Sequence, residues 1–421
     1  MGLWEASPAE CPVPIEMDLI FNPVGRATFS SSSTSCPIDN KRYGLASAAS
    51  DLIVTSARTH KIRSKQRRLD PRLSHLCFVA TFLLLTIASL HRATAQNAAI
   101  TPAREPAYGP ELEGYDYPYP VHQFEFSSQK QTMHMAYMDV QPKSFNGQVI
   151  VLMHGKNFCS ATWKTSIDVL ENAGYRVIAV DQIGFCKSTK PHAYQYTFQQ
   201  LARNTHALLE SLGIQKAILV AHSTGGMIAI RYALMYPAAT SQLVLVDPIG
   251  LEDWKAKGVP SISVDQWYER ELQTNAGKIR QYEQYTYYAG TWSDSYEPWV
   301  QMLAGMYRGP GKDLVAWNSA LLYDMIYTQP VYYEFEHITV PTFLLIGDKD
   351  NTAIGKDLAP PTVQAQLGHY PELAKQAVAR IPNAKLVEFP DMGHAPQIQN
   401  PATFHAALLK GLIALPSPNP K

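Results

Sequence analysis

From about residue 120 onward, short apolar runs alternate with amphipathic stretches, and this alternation limits the chain to few folds. Residues 122–126 and 132–140 read as two strands. Residues 148–153 (QVIVLM), 175–180 (YRVIAV), 216–221 (KAILVA) and 242–246 (QLVLV) read as buried strands. Residues 161–172, 198–212 and 225–236 between them read as helices, with Gly213 as a C-cap. Strands apolar on both faces and separated by helices imply a parallel sheet covered on both sides. The pattern lapses over about 250–338 and returns with a strand at 342–346, a helix near 373–380, a strand at 385–389 and a helix from 402. The lapse predicts an inserted helical cap. It holds 11 of the 23 Tyr. Most of these rings are expected to pack between helices. A few are expected to line an apolar pocket over the C-terminal edge of the sheet, where open α/β sheets place ligands.

The 421 residues accommodate one such domain, taken as 96–421, behind an extension of 1–95. That extension carries a serine-rich run at 30–35 and no sustained period, and is expected to be unstructured. A basic stretch at 61–72, an uncharged apolar run at 76–90 and Ala93-Thr94-Ala95 follow the layout of a secretory signal. Export is therefore expected, with membrane anchoring through 76–90 as the alternative. Fifteen residues fall short of the roughly 20 that a permanent span needs. No Met lies between Met17 and Met133, so the signal implies either a misplaced start or an unusual signal-anchor. No Asn-x-Ser/Thr acceptor occurs. Lys+Arg and Asp+Glu balance at 36 each, which argues against nucleic acid as the main partner.

Four motifs carry chemistry. Ala221-His222-Ser223-Thr224-Gly225-Gly226 joins a strand to a helix, the setting of a nucleophile on a sharp turn. The common pattern is G-x-S-x-G, and Ala221 replaces its first Gly. His154-Gly155-Lys156-Asn157 follows strand 148–153. The backbone N–H of Lys156, or failing that Asn157, joins that of Thr224 as a candidate oxyanion donor. His154 is expected to brace the loop. Asp350, past the strand at 342–346, is the candidate acid; Asp348 reads as a turn-former, and Asp247 is the alternative acid. His394, in Asp391-Met392-Gly393-His394-Ala395-Pro396, is the candidate base. No G-x-G-x-x-G after a strand and no H-E-x-x-H occurs, so no cofactor and no metal is expected. Cys159 and Cys186 each follow a strand end and could pair in an oxidising compartment.

In order and placement these motifs resemble the α/β-hydrolase superfamily over roughly residues 120–414. Asp181-Gln182-Ile183-Gly184-Phe185-Cys186-Lys187-Ser188 is similar to the D-x-x-G-x-G-x-S segment of its capped branch, with Cys186 in place of a Gly. The resemblance implies an eight-stranded, mostly parallel sheet, and places Ser223, Asp350 and His394 at the triad positions. A serine nucleophile attacking an alkyl carbon would give an ether that water cannot open through a carbonyl. Attack on an acyl carbon gives an ester that it can. The expectation is thus hydrolysis of a carboxylic ester or related small acyl substrate, apolar or aromatic. The alternatives are C–C bond hydrolysis or a lyase reaction on the same triad, and a ligand-binding protein without catalysis.

Overall fold

The computed structural model describes residues 105–414. The extension expected at 1–95, with its apolar run and Cys11, Cys36 and Cys77, lies outside the described residues. Two strands, β1 (Val121–Ser128) and β2 (Gln131–Val140), form an antiparallel hairpin. Then come β3 (Val149–Met153), α1 (Lys164–Asn172), β4 (Arg176–Val180), α2 (Phe198–Ser211), β5 (Ala217–His222), α3 (Thr224–Met235) and β6 (Thr240–Val246). Between β6 and the next strand stand α4 (Val264–Leu272), α5 (Ala276–Tyr282), a π-helical turn at Glu283–Tyr287, α6 (Glu297–Arg308) and α7 (Lys312–Thr328). The chain then adds β7 (Thr342–Gly347), α8 (Tyr370–Arg380), β8 (Ala384–Phe389) and α9 (Pro401–Ala414).

All eight strands join one sheet in the order β1-β2-β4-β3-β5-β6-β7-β8. β2 pairs antiparallel with β4, and the six strands from β4 to β8 run parallel. Alternate side chains of each strand enter opposite cores, as the period of two requires. Ile150, Leu152, Val177, Val220 and Val244 pack with Ile167 and Leu170 of α1 and Phe404 and Leu408 of α9. Val151, Ile178, Leu219 and Leu245 pack with Leu208 of α2, Met227 and Ile228 of α3 and Leu373 of α8. Each such buried side chain contributes roughly 1.5–3 kcal/mol. Thr197 caps α2 by accepting the Gln200 N–H, and Gly213, at φ +69°, turns the chain away at its far end.

The sheet grows from β3 toward β4 on one side and toward β5 on the other, so its order reverses at β3 and β5. Such a reversal opens a crevice at the C-terminal strand ends. The loops after β3, β5, β7 and β8 all leave from that edge. One expected element differs. The helix anticipated at 161–172 is a 3-10 turn, Ser160–Trp163, followed by α1. The turn is pinned because the Ser160 N–H donates to Asp181 and the Thr162 hydroxyl to the Cys159 carbonyl. Among the described residues no helix is long and apolar enough to cross a membrane.

Candidate active site

Ser223 sits between β5 and α3 at φ 55° and ψ −121°, a backbone region that L-residues rarely enter. Holding it there costs on the order of 1–3 kcal/mol and pushes the side chain out of the sheet edge. Its neighbours must be small. A Cβ on Gly225 would lie 2.6 Å from the carbonyl oxygens of Met153 and His154, and one on Gly226 would lie 2.5 Å from Pro248. Ala221 fits where a Gly is common, because it lies within β5, opposite Leu245 and Met153.

The structure brings the three residues singled out from the sequence into one relay. The Ser223 hydroxyl lies 2.8 Å from His394 Nε2, and His394 Nδ1 lies 2.7 Å from Asp350 Oδ2. Nδ1–H donates to the carboxylate, which leaves Nε2 to accept from the hydroxyl. Asp350 Oδ1 is held by the N–H and hydroxyl of Thr352, so the carboxylate cannot rotate freely. Ser223 is 4 %, Asp350 3 % and His394 0 % exposed, so water competes little with these bonds. The His394 main chain is fixed as well. Its N–H donates to the Thr286 carbonyl, and the Ala395 N–H to that of Tyr287, both in the π-helical turn.

Asp247 does not reach His394 by a hydrogen bond; its Oδ1 accepts the Gly347 N–H at 2.9 Å. Burial, reinforced by the Asp350 carboxylate, pushes its carboxyl well above the usual range. Protonation of Asp247 would leave no second charge beside Asp350. Asp348 does more than shape a turn: it accepts the Asp391 N–H at 2.8 Å and so docks the loop that carries His394.

The loop after β3 lies directly over Ser223, since a Cβ on Gly155 would come within 2.7 Å of Ser223 Cβ. His154 braces it as expected, donating from Nδ1 to the Gly155 carbonyl and accepting the Gln182 N–H at Nε2. The Lys156 N–H has no backbone or side-chain acceptor among the described residues. Thr224 opens α3, so its N–H is among those a helix start leaves unpaired. The Lys156 side chain donates to Ser319 at 2.6 Å and lies 3.6 Å above the Tyr323 ring in α7. Asn157 donates to the Tyr287 hydroxyl at 3.1 Å. Cys159 and Cys186 form a disulfide, with Cα atoms 5.8 Å apart, which joins this loop to the one after β4. Cys186 has φ 45°, the left-handed conformation that explains why a Gly suits this position. Its sulfur is therefore not free to join nearby His154 and Asp181 as a metal ligand.

A cleft between the cap and the loop after β7 approaches the relay. Trp267, Tyr282, Tyr285 and Tyr323 line its cap side, and Thr352, Ile354 and Lys356 the other. A narrower, mostly apolar cavity lies between residues 156–159, the Cys186 loop and Leu303, Met306 and Leu322 of the cap.

A mostly parallel sheet with a Ser–His–Asp relay at its order reversal defines a hydrolase-type α/β protein. The family profile described as alpha/beta hydrolase fold matches residues 148–401, and the chain belongs to that family. It is similar to a crystal structure of a probable hydrolytic enzyme from Pseudomonas aeruginosa PAO1: 65 % identity, 73 % of this chain and 99 % of that one covered, TM-score 0.73. A Shigella flexneri relative, named provisionally as the carbamate hydrolase RutD, is 24 % identical over 279 residues, covering 65 % of this chain and 94 % of its own. A Comamonas testosteroni 2-hydroxy-6-oxononadienedioate/2-hydroxy-6-oxononatrienedioate hydrolase is 36 % identical over 138 residues, covering 32 % of this chain and 48 % of its own. The protein is a hydrolase by family and by the names of its relatives.

Proposed function

We propose that the protein is a serine hydrolase that cleaves a carboxylic ester or related acyl substrate through an acyl-enzyme. The observation that carries this reading is the Ser223–His394–Asp350 relay, with bonds of 2.8 and 2.7 Å at a buried strand-to-helix turn. His394 takes the Ser223 proton as the hydroxyl oxygen attacks the acyl carbon, and Asp350 stabilises the resulting imidazolium. The N–H groups of Thr224 and Lys156 receive the oxyanion; losing one such donor typically lowers turnover about 10²–10³-fold. The imidazolium then protonates the leaving alkoxide. In the second half, His394 activates a water that attacks the Ser223 ester and releases the acid. The mostly apolar cavity beside residues 156–159 supports an apolar or aromatic small molecule. The disulfide supports export, since such bonds persist in oxidising compartments.

Turnover of a p-nitrophenyl ester panel by wild type and Ser223→Ala tests the reading. Loss of turnover in a folded variant is expected; undiminished turnover removes it. The match to the Comamonas hydrolase favours a second reading, in which the same relay opens a carbon–carbon bond next to a ketone. Selective turnover of 1,3-diketones over esters would favour it. Tight ligand binding without hydrolysis of either would instead point to a non-catalytic binding protein.

A further inference from the structure

His222 ends β5 immediately before Ser223 and is 1 % exposed. Its Nε2 lies 2.7 Å from the main-chain carbonyl oxygen of His394. Since a carbonyl only accepts, Nε2 carries the hydrogen. Nδ1 is buried without a partner and turned toward Gly155, where a Cβ would come within 2.9 Å. The ring stacks on Phe158 at 5.6 Å and lies 4.9 Å from the His394 ring. One side chain, on the residue next to the one that bears the hydroxyl, thus lies against the backbone over Ser223 and bonds to the main chain of the base.

We infer that His222 is a positioning residue that sets the Ser223–His394 distance by donating its Nε2 hydrogen to the His394 carbonyl. The inference rests on the serine-hydrolase reading above. The base has two main-chain anchors. One is the cap, through Thr286. The other is the turn that carries the nucleophile, through His222. A displacement of the cap leaves the second anchor in place, so hydroxyl and imidazole stay in register.

The ring must also stay neutral. A second proton would put an unpaired N–H against Gly155 and a cation beside the imidazolium that forms on His394. Burial first, then His394, holds the His222 imidazole well below its ordinary value. A neutral donor of this reach is what the site requires, and Gln offers one, because its Nε2 is the same number of bonds from Cβ.

The test compares His222→Met, which removes the donor, with His222→Gln, which keeps one, on p-nitrophenyl esters. In His222→Met, kcat is expected to fall about 10²-fold, the usual effect of misplacing reacting groups by an ångström, with KM unchanged. His222→Gln is expected to restore most of the lost kcat. Wild-type kcat in His222→Met, or equal loss in both folded variants, overturns the inference. If His222→Met does not fold, ¹⁵N NMR of histidine-labelled wild type decides: an Nε2–H neutral ring supports it, and an Nδ1–H ring overturns it. Ser223→Ala is the control that separates the two claims. If it keeps turnover, the serine reading fails. If it is inactive while His222→Met is not, only the role of His222 fails.

Discussion

Two buried carboxyls stand near His394, with ligand atoms of Asp247, Asp350 and His394 all within 4.8 Å of one another, and their surroundings give them different work. Asp350 bonds to the imidazole, whereas Asp247 holds the Gly347 N–H. Asp350→Asn is expected to lower kcat by roughly 10³–10⁴, and Asp247→Asn by far less. Comparable losses in the two variants would contradict this division. A third buried acid, Glu283, starts the π-helical turn whose carbonyls hold the His394 loop. It is 0 % exposed and faces the Tyr288 hydroxyl. Burial, with Glu297 nearby, pushes its carboxyl from 4.5 up to about 8. The folded state then binds a proton that the unfolded chain releases. Stability is undiminished below about 4.5 and falls as pH rises from there through about 8, by at most a few kcal/mol. Glu283→Gln is therefore expected to raise Tm more at pH 8 than at pH 5. A Tm difference independent of pH would contradict this. Ser223 and His394 were legible because each sits in a short motif beside a strand. The burial of Glu283 and the hydrogen bond of His222 were not, since both arise from partners 100 or more residues away or from the packing of the cap.

At the scale of elements, the central strands β3 to β7 were readable as apolar runs because both faces of each are covered. Their ends were not, because pairing rather than composition sets them: β5 runs one residue past the expected end, to His222, which pairs with Val246. The pairing of Cys159 with Cys186 could be raised from the sequence only as a possibility, since it depends on two loops meeting at one edge. The bond closes a loop of 27 residues' separation and is expected to add about 2–4 kcal/mol to stability. Peptide mapping of the native protein after alkylation should show Cys159 and Cys186 unmodified, and reduction should expose both and lower Tm. Alkylation of both of these residues without reduction would contradict the bridge.

At the scale of the molecule, three parts of the chain are bonded together. The cap supplies the π-helical turn and grips Lys156. The sheet supplies the relay. Residues 105–119, ahead of β1, lie across both: the Tyr108 N–H donates to Gly305, Arg308 Nε to Pro106, and the Tyr117 hydroxyl to Asp181. The cap's position between β6 and β7 was legible as a lapse in the strand–helix pattern. This strap was not, because it has no periodicity and its partners lie 64 or more residues away. A Cβ on Gly309 would meet the Tyr108 carbonyl oxygen at 1.6 Å. Gly309→Ala is thus expected to dislodge the strap, costing about 1–3 kcal/mol and exposing residues 105–119 to protease. Unchanged Tm and cleavage would contradict that contact.

Whether Ser223 is the nucleophile is read most directly by mass spectrometry after treatment with a fluorophosphonate. One adduct is expected, on the peptide that contains Ser223, absent in Ser223→Ala and formed much more slowly in His394→Ala. An adduct on another residue, or undiminished labelling of Ser223→Ala, would contradict a nucleophilic Ser223.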